Sequence, residues 1–353
     1  MITINTKQAS VAIGNVMRAV PRRSVVPIDQ CVKLSVEDGV LIASSFNTGD
    51  GLMISDGLGI IDGAGISPVA VDAQRLNQVL RTAIGDTIKL TTRAGLLLFK
   101  SGTMSARFAT QDPEMFVSRA DPLDLIVEMS QKEFSVAAKS LIFLCDSIDY
   151  PGNYSEAFHI GKYFIATNNS YAVGRAFMSD DIEGSHWVPA YSINHVMRSA
   201  SGPISIYTTS YGIKFVCGLL NVDVSVVENS GQDFNKAFYG IPGLDMAVVN
   251  RKRFSDLLSA AAVFAKDFSK YAEVTFADNL ISINVGGDVF FASVEAKSVG
   301  CAKFGVNCEA LNGIVSHTPG NDINIGCLGG RMIYVISGET EYALAAMQLR
   351  GSA

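Results

Sequence analysis

The strongest constraint on the fold is a weak internal repeat. A polar-start, apolar-stripe helical pattern returns six times, anchored at Ala9, Leu76, Phe134, Ile193, Phe254 and Leu311, at intervals of about 60 residues. After each anchor the chain turns to alternating strand patterns broken by Gly, Asn or Asp. The fourth anchor is followed by Gly202 to Thr208, a Ser210-Tyr211-Gly212 turn, Ile213 to Gly218 and Asn221 to Val227. The fifth runs through Ala272 to Phe276, Leu280 to Val285 and Val289 to Glu295, and the first through Cys31 to Val36 and Val40 to Ser45. The unit is one helix with antiparallel strands. Alone it has one apolar stripe and one apolar sheet face, too little for a core, whereas two units facing each other suffice.

Pairing the units predicts an α+β protein of three similar domains, each with two helices packed on antiparallel sheets. The expected boundaries are 1–121, 122–242 and 243–353, at junctions near Ala120-Asp121-Pro122 and Gly240-Ile241-Pro242-Gly243, both of which carry proline. The 353 residues are long for a single core. With 48% hydrophobic and 18% charged residues the composition is globular. The N-terminus Met1 to Lys7 lacks the features of a signal peptide, and no apolar run is long enough for a membrane span, so a cytoplasmic location and no membrane partner are expected. The six cysteines are scattered without metal-ligand spacing, which predicts buried thiols, no metal and no cofactor.

The net charge of -6 argues against indiscriminate nucleic-acid binding over the whole surface. Its distribution is uneven. Segments 6 to 23 and 250 to 266 are strongly basic through Lys7, Arg18, Arg22, Arg23, Arg251, Lys252, Arg253 and Lys266, while the strands and loops hold most of the acid. If the helices line one side of a curved array, an acidic protein acquires one positive surface that reads phosphate charge and not base sequence.

Four stretches then resemble, in order and spacing, the bacterial sliding clamp, the beta subunit of the replicative DNA polymerase III. They are Arg22-Arg23-Ser24-Val25-Val26-Pro27-Ile28, Phe164-Ile165-Ala166-Thr167-Asn168-Asn169-Ser170-Tyr171-Ala172, the linker Asp233 to Pro242, and Tyr342-Ala343-Leu344-Ala345-Ala346-Met347-Gln348-Leu349. The resemblance covers the whole chain. It implies a DNA clamp fold, a head-to-tail homodimer closed into a ring with helices inside, and a non-catalytic processivity factor. Such a factor encircles double-stranded DNA independently of sequence. It tethers the replicative DNA polymerase, and the clamp loader also engages it, through a short peptide motif.

For DNA contact, Arg23 comes with the resemblance, and Arg75, Lys132, Arg198, Arg251, Lys252 and Arg253 are added by their position on the helices. The family's peptide groove maps onto Thr167, Asn169, Tyr171, Ala172, Tyr239, Gly240, Tyr271, Asn307, Ala343, Ala346 and Met347. Two departures stand out: Asn168-Asn169-Ser170-Tyr171 replaces an Asp-Gly-His-Arg type sequence, and Ala345-Ala346-Met347-Gln348 replaces Met-Pro-Met-Arg. Loss of an arginine removes a partner for peptide carboxylates, so a diverged groove is expected.

Rival readings are weaker. The glycines between Gly49 and Gly65 fit neither G-x-x-x-x-G-K-S/T nor G-x-G-x-x-G. The four histidines, His159, His186, His195 and His317, stand apart. Asp180, Asp181 and Glu183 read as a solvated turn. A metal-dependent nuclease, or a DNA-associated repeat protein without ring closure, remains the alternative to a clamp.

Overall fold

The computed structural model describes residues 1–117, 120–146, 157–168, 170–227, 233–265, 269–287, 289–297 and 302–349. Among them are six α-helices: α1 (Thr6–Val16), α2 (Ala73–Arg81), α3 (Gln131–Leu141), α4 (Ala190–Ser199), α5 (Arg251–Phe264) and α6 (Cys308–His317). Each holds one of the six anchors, and all six anchors are at most 2% exposed. The stripes follow helical spacing. In α1, Ala9, Ala12, Ile13 and Val16 are buried, and in α5 Phe254, Leu258 and Ala261.

The repeat is larger than helix plus three strands. A short strand also precedes every helix: Ile2–Asn5, Val69–Asp72, Leu125–Met129, Ser185–Pro189, Met246–Asn250 and Ala302–Asn307. The unit is strand, helix and three strands. Asn or Asp sits at the strand-to-helix step in four of them, where Asn5, Asp72, Asn250 and Asn307 cap the helix by accepting from backbone N–H groups of its first turn.

These leading strands are exchanged. Ile2–Asn5 of the first repeat pairs with Thr87–Arg93 of the second, and Val69–Asp72 of the second pairs with Cys31–Glu37 of the first. Ala302–Asn307 pairs likewise with Tyr271–Ala277, and Met246–Asn250 with Asp322–Leu328. Leu125–Met129 pairs with Ile204–Thr208, and Ser185–Pro189 with Ala157–Gly161. A repeat therefore completes its sheet only with a strand from another repeat, the hydrogen-bond counterpart of its incomplete core.

By packing, the chain forms two compact units, Met1–Gln131 with Tyr191–Val226, and Lys132–Ala190 with Val227–Ala353. The first contains a twelve-stranded antiparallel sheet system in which Ile2–Asn5 also pairs with Leu52–Asp62 and Val69–Asp72 with Met104–Gln111. The strands of the first two repeats are thereby paired all round. Ile4, Ile13, Leu34, Leu76, Ile88 and Phe99 meet inside it, around a void of only about 20 Å³. Burying side chains of this size contributes roughly 1.5–3 kcal/mol each. The second unit holds another twelve-stranded antiparallel system. Edge-to-face contacts of Phe164 with Phe134 and Phe158, and of Phe276 with Phe304, tie helix to sheet and strand to strand there. Between α5 and α6 runs a polar seam, with Ser255 donating to Asn312 Oδ1 at 2.7 Å and Asn312 donating to Ser259 at 3.0 Å.

The final strand of a repeat serves as a joint. Leu52–Asp62 pairs with Leu220–Ser225, and Ala172–Phe177 with Thr340–Ala345, each a match of one repeat's last strand to another's. Two last strands are left over. Met104–Gln111 is bonded along one side, but on the other only Thr110 and Gln111 are paired. Phe290–Lys297 is in the same situation, with only Ala296 and Lys297 paired on its second side.

Candidate functional site

Two features bear on the sequence expectations: a set of basic residues, most of them on helices, and a cavity in the second unit. Lys7, Lys132 and Lys252 occupy one register, two residues before the anchors Ala9, Phe134 and Phe254 of the first, third and fifth helices, and all three are exposed. Arg23, in the segment after α1, and Arg75, Arg198 and Arg253, on α2, α4 and α5, are exposed as well. Arg251 differs. Its Nε donates to the Gly320 carbonyl at 2.7 Å and its Nη1 to Ser316 at 2.9 Å, so it caps the C-terminal end of α6 and has fewer donors left for a ligand.

The cavity measures about 250 Å³ and is lined by Phe143, Leu144, Asn168, Tyr171, Ala172, Asn307, Glu309, Ala310, Gly313 and Ile314. One wall is the turn after Tyr163–Thr167. Asn168, 4% exposed, accepts from the backbone N–H groups of Ser170, Tyr171 and Ala172 at 3.2, 3.1 and 2.9 Å. Thr167 Oγ1 donates to the Ala172 carbonyl at 2.8 Å. The Tyr171 side chain stands 46% exposed on this turn. The other wall is the first turns of α6. Asn307 accepts from Ala310 N–H at 2.9 Å, and Glu309 Oε1 lies 3.6 Å from Lys270 Nζ. Phe143 closes one end by stacking on His317 at 4.2 Å, while His317 Nδ1–H donates to the Gly313 carbonyl at 2.8 Å.

Three of the eleven groove residues named from the sequence, Tyr171, Ala172 and Asn307, line this cavity. Thr167 braces the turn from behind, only 3% exposed. Tyr271 is paired with Asn307 across adjacent strands, and Met347 N–H donates to Gly305 on the same strand. Ala346 N–H donates to Arg331, and Ala345 N–H to the Tyr171 carbonyl, so the C-terminal segment is bonded to the Tyr171 turn and to the strand leading into α6. The others lie elsewhere. Ala343 is fully buried in a cluster with Trp187, Phe234, Phe238 and Tyr334. Gly240 stands against that cluster, where a Cβ would come within 2.5 Å of Leu328 and 2.9 Å of the Tyr334 hydroxyl, and Tyr239 beside it is 70% exposed. Asn169 lies outside the described residues. Phe143, Leu144, Asn168, Glu309, Ala310, Gly313 and Ile314 line the cavity without having been named from the sequence. For Ala310 and Gly313 the signal was present, since an Asn307 cap and a Leu311 anchor leave the intervening face of α6 open.

Among the described cysteines, Cys31, Cys145, Cys217 and Cys308 are buried and Cys327 is half-buried, while Cys301 lies outside the described residues. Burial pushes the Cys31 and Cys308 thiols up to about 11, far from a reactive thiolate. Among the described residues no three or more His, Cys, Asp or Glu side chains come together as metal ligands, and no helix is long and apolar enough to cross a membrane.

No family model matches the sequence, and no curated protein sequence is similar to it. Solved structures are. The DNA polymerase III subunit beta sliding clamp from Pseudomonas aeruginosa, bound to griselimycin, superposes with a TM-score of 0.86 at 16% identity, covering 99% of each chain. The DNA polymerase III beta subunit from Thermotoga maritima gives 0.81 at 15%, again over 99% of each chain. The beta subunit of the DNA polymerase of Streptococcus pyogenes gives 0.84 at 13%, over 99% of this chain and 100% of that one. From end to end, this chain has the fold of the bacterial sliding clamp.

Proposed function

We propose that the protein is a DNA sliding clamp, a non-catalytic ring that encircles duplex DNA in the cytoplasm and holds a replicative polymerase to it. The observation that carries the reading is the recurrence of exposed lysine at one helical register, Lys7, Lys132 and Lys252, in a chain that is acidic overall. A register that returns once per pair of repeats places the same charge at equivalent points of three domains, here taken as 1–121, 122–242 and 243–353. Arg23, Arg75 and Arg198 in one compact unit, and Lys132, Lys252 and Arg253 in the other, are then sequence-blind phosphate contacts, with Arg251 holding α6 in place.

Ring closure follows from the unused strand edges. Last strands pair with last strands within the chain, and the two left over, Met104–Gln111 and Phe290–Lys297, are complementary ends for a second copy. Arg107 on one and Glu295 on the other are both exposed. Head-to-tail pairing of two chains satisfies both edges at once and removes an aggregation hazard. The cavity between the Tyr171 turn and α6 takes an anchor side chain of the partner peptide, with Tyr171 and Phe143 as aromatic walls.

The test is topological. Protein loaded on nicked circular DNA is retained through high salt and lost when the circle is linearised; equal retention on linear DNA with free ends overturns the reading. Titration with a consensus clamp-binding peptide checks the groove. Tyr171→Ala weakens binding about tenfold if the ring is a wall of the pocket; unchanged affinity removes that assignment.

A further inference from the structure

The segment between α1 and the strand Cys31–Glu37 carries Arg22 and Arg23, both exposed, and has little backbone structure of its own. Val20 N–H still donates to Met17, and Asp29 N–H donates to Val26 at the short helical turn Pro27–Gln30. Among the described residues, the N–H groups of Arg22, Arg23, Ser24 and Val25 make no bond to another backbone group. Apolar packing does not hold the stretch either, since the Val25 side chain is 99% exposed.

A buried carboxylate holds it instead. Ser24 Oγ accepts from Val26 N–H at 3.0 Å and donates to Asp29 Oδ2 at 3.0 Å. Asp29 is only 4% exposed, and its neighbour Ile28 is fixed in a cluster with Cys31, Ala70 and Phe116. The second partner of Asp29 is Thr48, whose hydroxyl lies 2.5 Å from both carboxylate oxygens. Among the described residues no cationic side chain comes within 4 Å of this carboxylate; the ion pairs involve Lys162, Arg175, Lys214, Lys270 and Lys303. With no counter-ion, the buried charge depends on these two hydroxyls, and hydrogen bonds to a charged acceptor are stronger than neutral ones.

Thr48 belongs to the turn that follows Val40–Asn47. Asn47 Oδ1 orders this turn by accepting from Gly49 and Asp50 N–H at 3.1 and 3.3 Å. The same turn is tied to the fourth repeat, within one compact unit: Tyr191 of α4 donates to the Asp50 carbonyl at 2.7 Å, and Ser225 N–H donates to the Gly51 carbonyl at 3.1 Å. A continuous chain of bonds therefore runs from that footing through Thr48, Asp29 and Ser24 to the two arginines. Stabilising the hairpin turn would require Thr48 alone. The Ser24 bond orders a stretch that packs on little, and what it orders is Arg22 and Arg23.

We propose that Asp29 is a positioning residue for DNA contact, holding the Arg22–Arg23 segment through Ser24 in the conformation that meets a phosphate. This rests on the reading of the chain as a clamp that touches duplex through Arg23. A segment ordered before it binds loses less conformational freedom on binding, so the hub raises affinity without touching DNA itself.

The experiment is fluorescence anisotropy of a labelled random-sequence duplex titrated with the full-length protein at low salt. Ser24→Ala weakens binding about threefold to tenfold, the worth of one lost hydrogen bond, and Ser24→Thr, which keeps the hydroxyl, recovers it. A merely structural effect is separated by repeating Ser24→Ala in a protein that also carries Arg22→Ala and Arg23→Ala. There the loss disappears, because nothing is left to position; an equal loss in both backgrounds overturns the proposal. Asp29→Asn supplies a test of sign. Removing a negative charge strengthens DNA binding on electrostatics alone, whereas loss of the hub weakens it, so affinity equal to or tighter than wild type overturns the proposal as well. If wild type fails to bind duplex at all, the clamp reading itself fails. If wild type binds and Ser24→Ala matches it, the positioning role fails while the clamp stands.

Discussion

His159 shows how a side chain can be conspicuous in a sequence for the wrong reason. It is 9% exposed, with Nδ1–H donating to the Tyr163 carbonyl at 2.9 Å and Nε2 2.9 Å from Ser185 Oγ. Burial, with His186 nearby, holds its pKa down to about 4. Unfolded, it titrates near 6.5, so between these values the unfolded chain binds the extra proton. The contribution of His159 is therefore full above about pH 6.5 and declines as pH falls toward 4, by at most about 3 kcal/mol. Urea denaturation at pH 7.5 and 5 should show this loss, and His159→Gln should flatten it; an equal slope in both proteins would remove the assignment. The buried pair Lys214 and Asp223 lies 3.3 Å apart with side chains 7% and 1% exposed. Lys214 Nζ also donates to the Ala120 carbonyl at 2.5 Å, fastening the chain where repeats two and three meet. Asp223→Ala should cost about 3–5 kcal/mol by stranding the ammonium, read as a lower denaturation midpoint. Neither partnership was legible in the sequence, because the partners are brought together by strand register and not by spacing. The anchors were legible, because burial of one helix face is written locally in the period of its own residues.

At the scale of the element, helix positions emerged from the sequence and the leading strands did not. Ile2–Asn5 and Val69–Asp72 are only four residues long, too short for an alternation to stand out from the helix that follows, and what makes them strands is pairing with a distant repeat. Their last residue does announce the helix. Asn5, Asp72, Asn250 and Asn307 each precede a helix and cap it, and removing one side chain leaves orphaned N–H groups in the first turn. Asn250→Ala should lower stability by about 1 kcal/mol, with Asn250→Asp close to neutral, measured by thermal melting. Asn307→Ala should cost the same and also disturb peptide binding, since Asn307 lines the cavity. A cap variant that alters stability without altering peptide affinity at this position would detach α6 from the groove. The groove itself was half legible for a related reason: the Tyr171 turn lies in one continuous motif, whereas Phe143 reaches the cavity from the short helical turn Ile142–Asp146, which carries no marker of its own.

For the whole molecule, the proposed ring makes the strength of the closing contact the decisive quantity, and symmetry sets how a substitution there is felt. A head-to-tail ring of two chains contains the same interface twice, so one change in the sequence weakens both junctions. Phe291, on the free-edged strand Phe290–Lys297, is 68% exposed, and Val289, just before that strand, is 58% exposed. Phe264 stacks on Phe290 at 5.0 Å and is itself 43% exposed. An apolar patch flanking an unpaired strand edge is what a partner strand would cover. Phe291→Asp removes apolar area and adds a charge at both junctions while touching little inside the chain. At about 1.5–3 kcal/mol of lost burial per junction, each contact weakens by roughly tenfold to a hundredfold. Sedimentation should then show a monomer where the proposed ring requires a dimer of the unaltered protein, with the circular dichroism spectrum unchanged, and retention on circular DNA should disappear. A Phe291→Asp protein that stays dimeric and is still held on circles would show that the ring does not close through this edge, and Met104–Gln111 would lose its proposed partner with it.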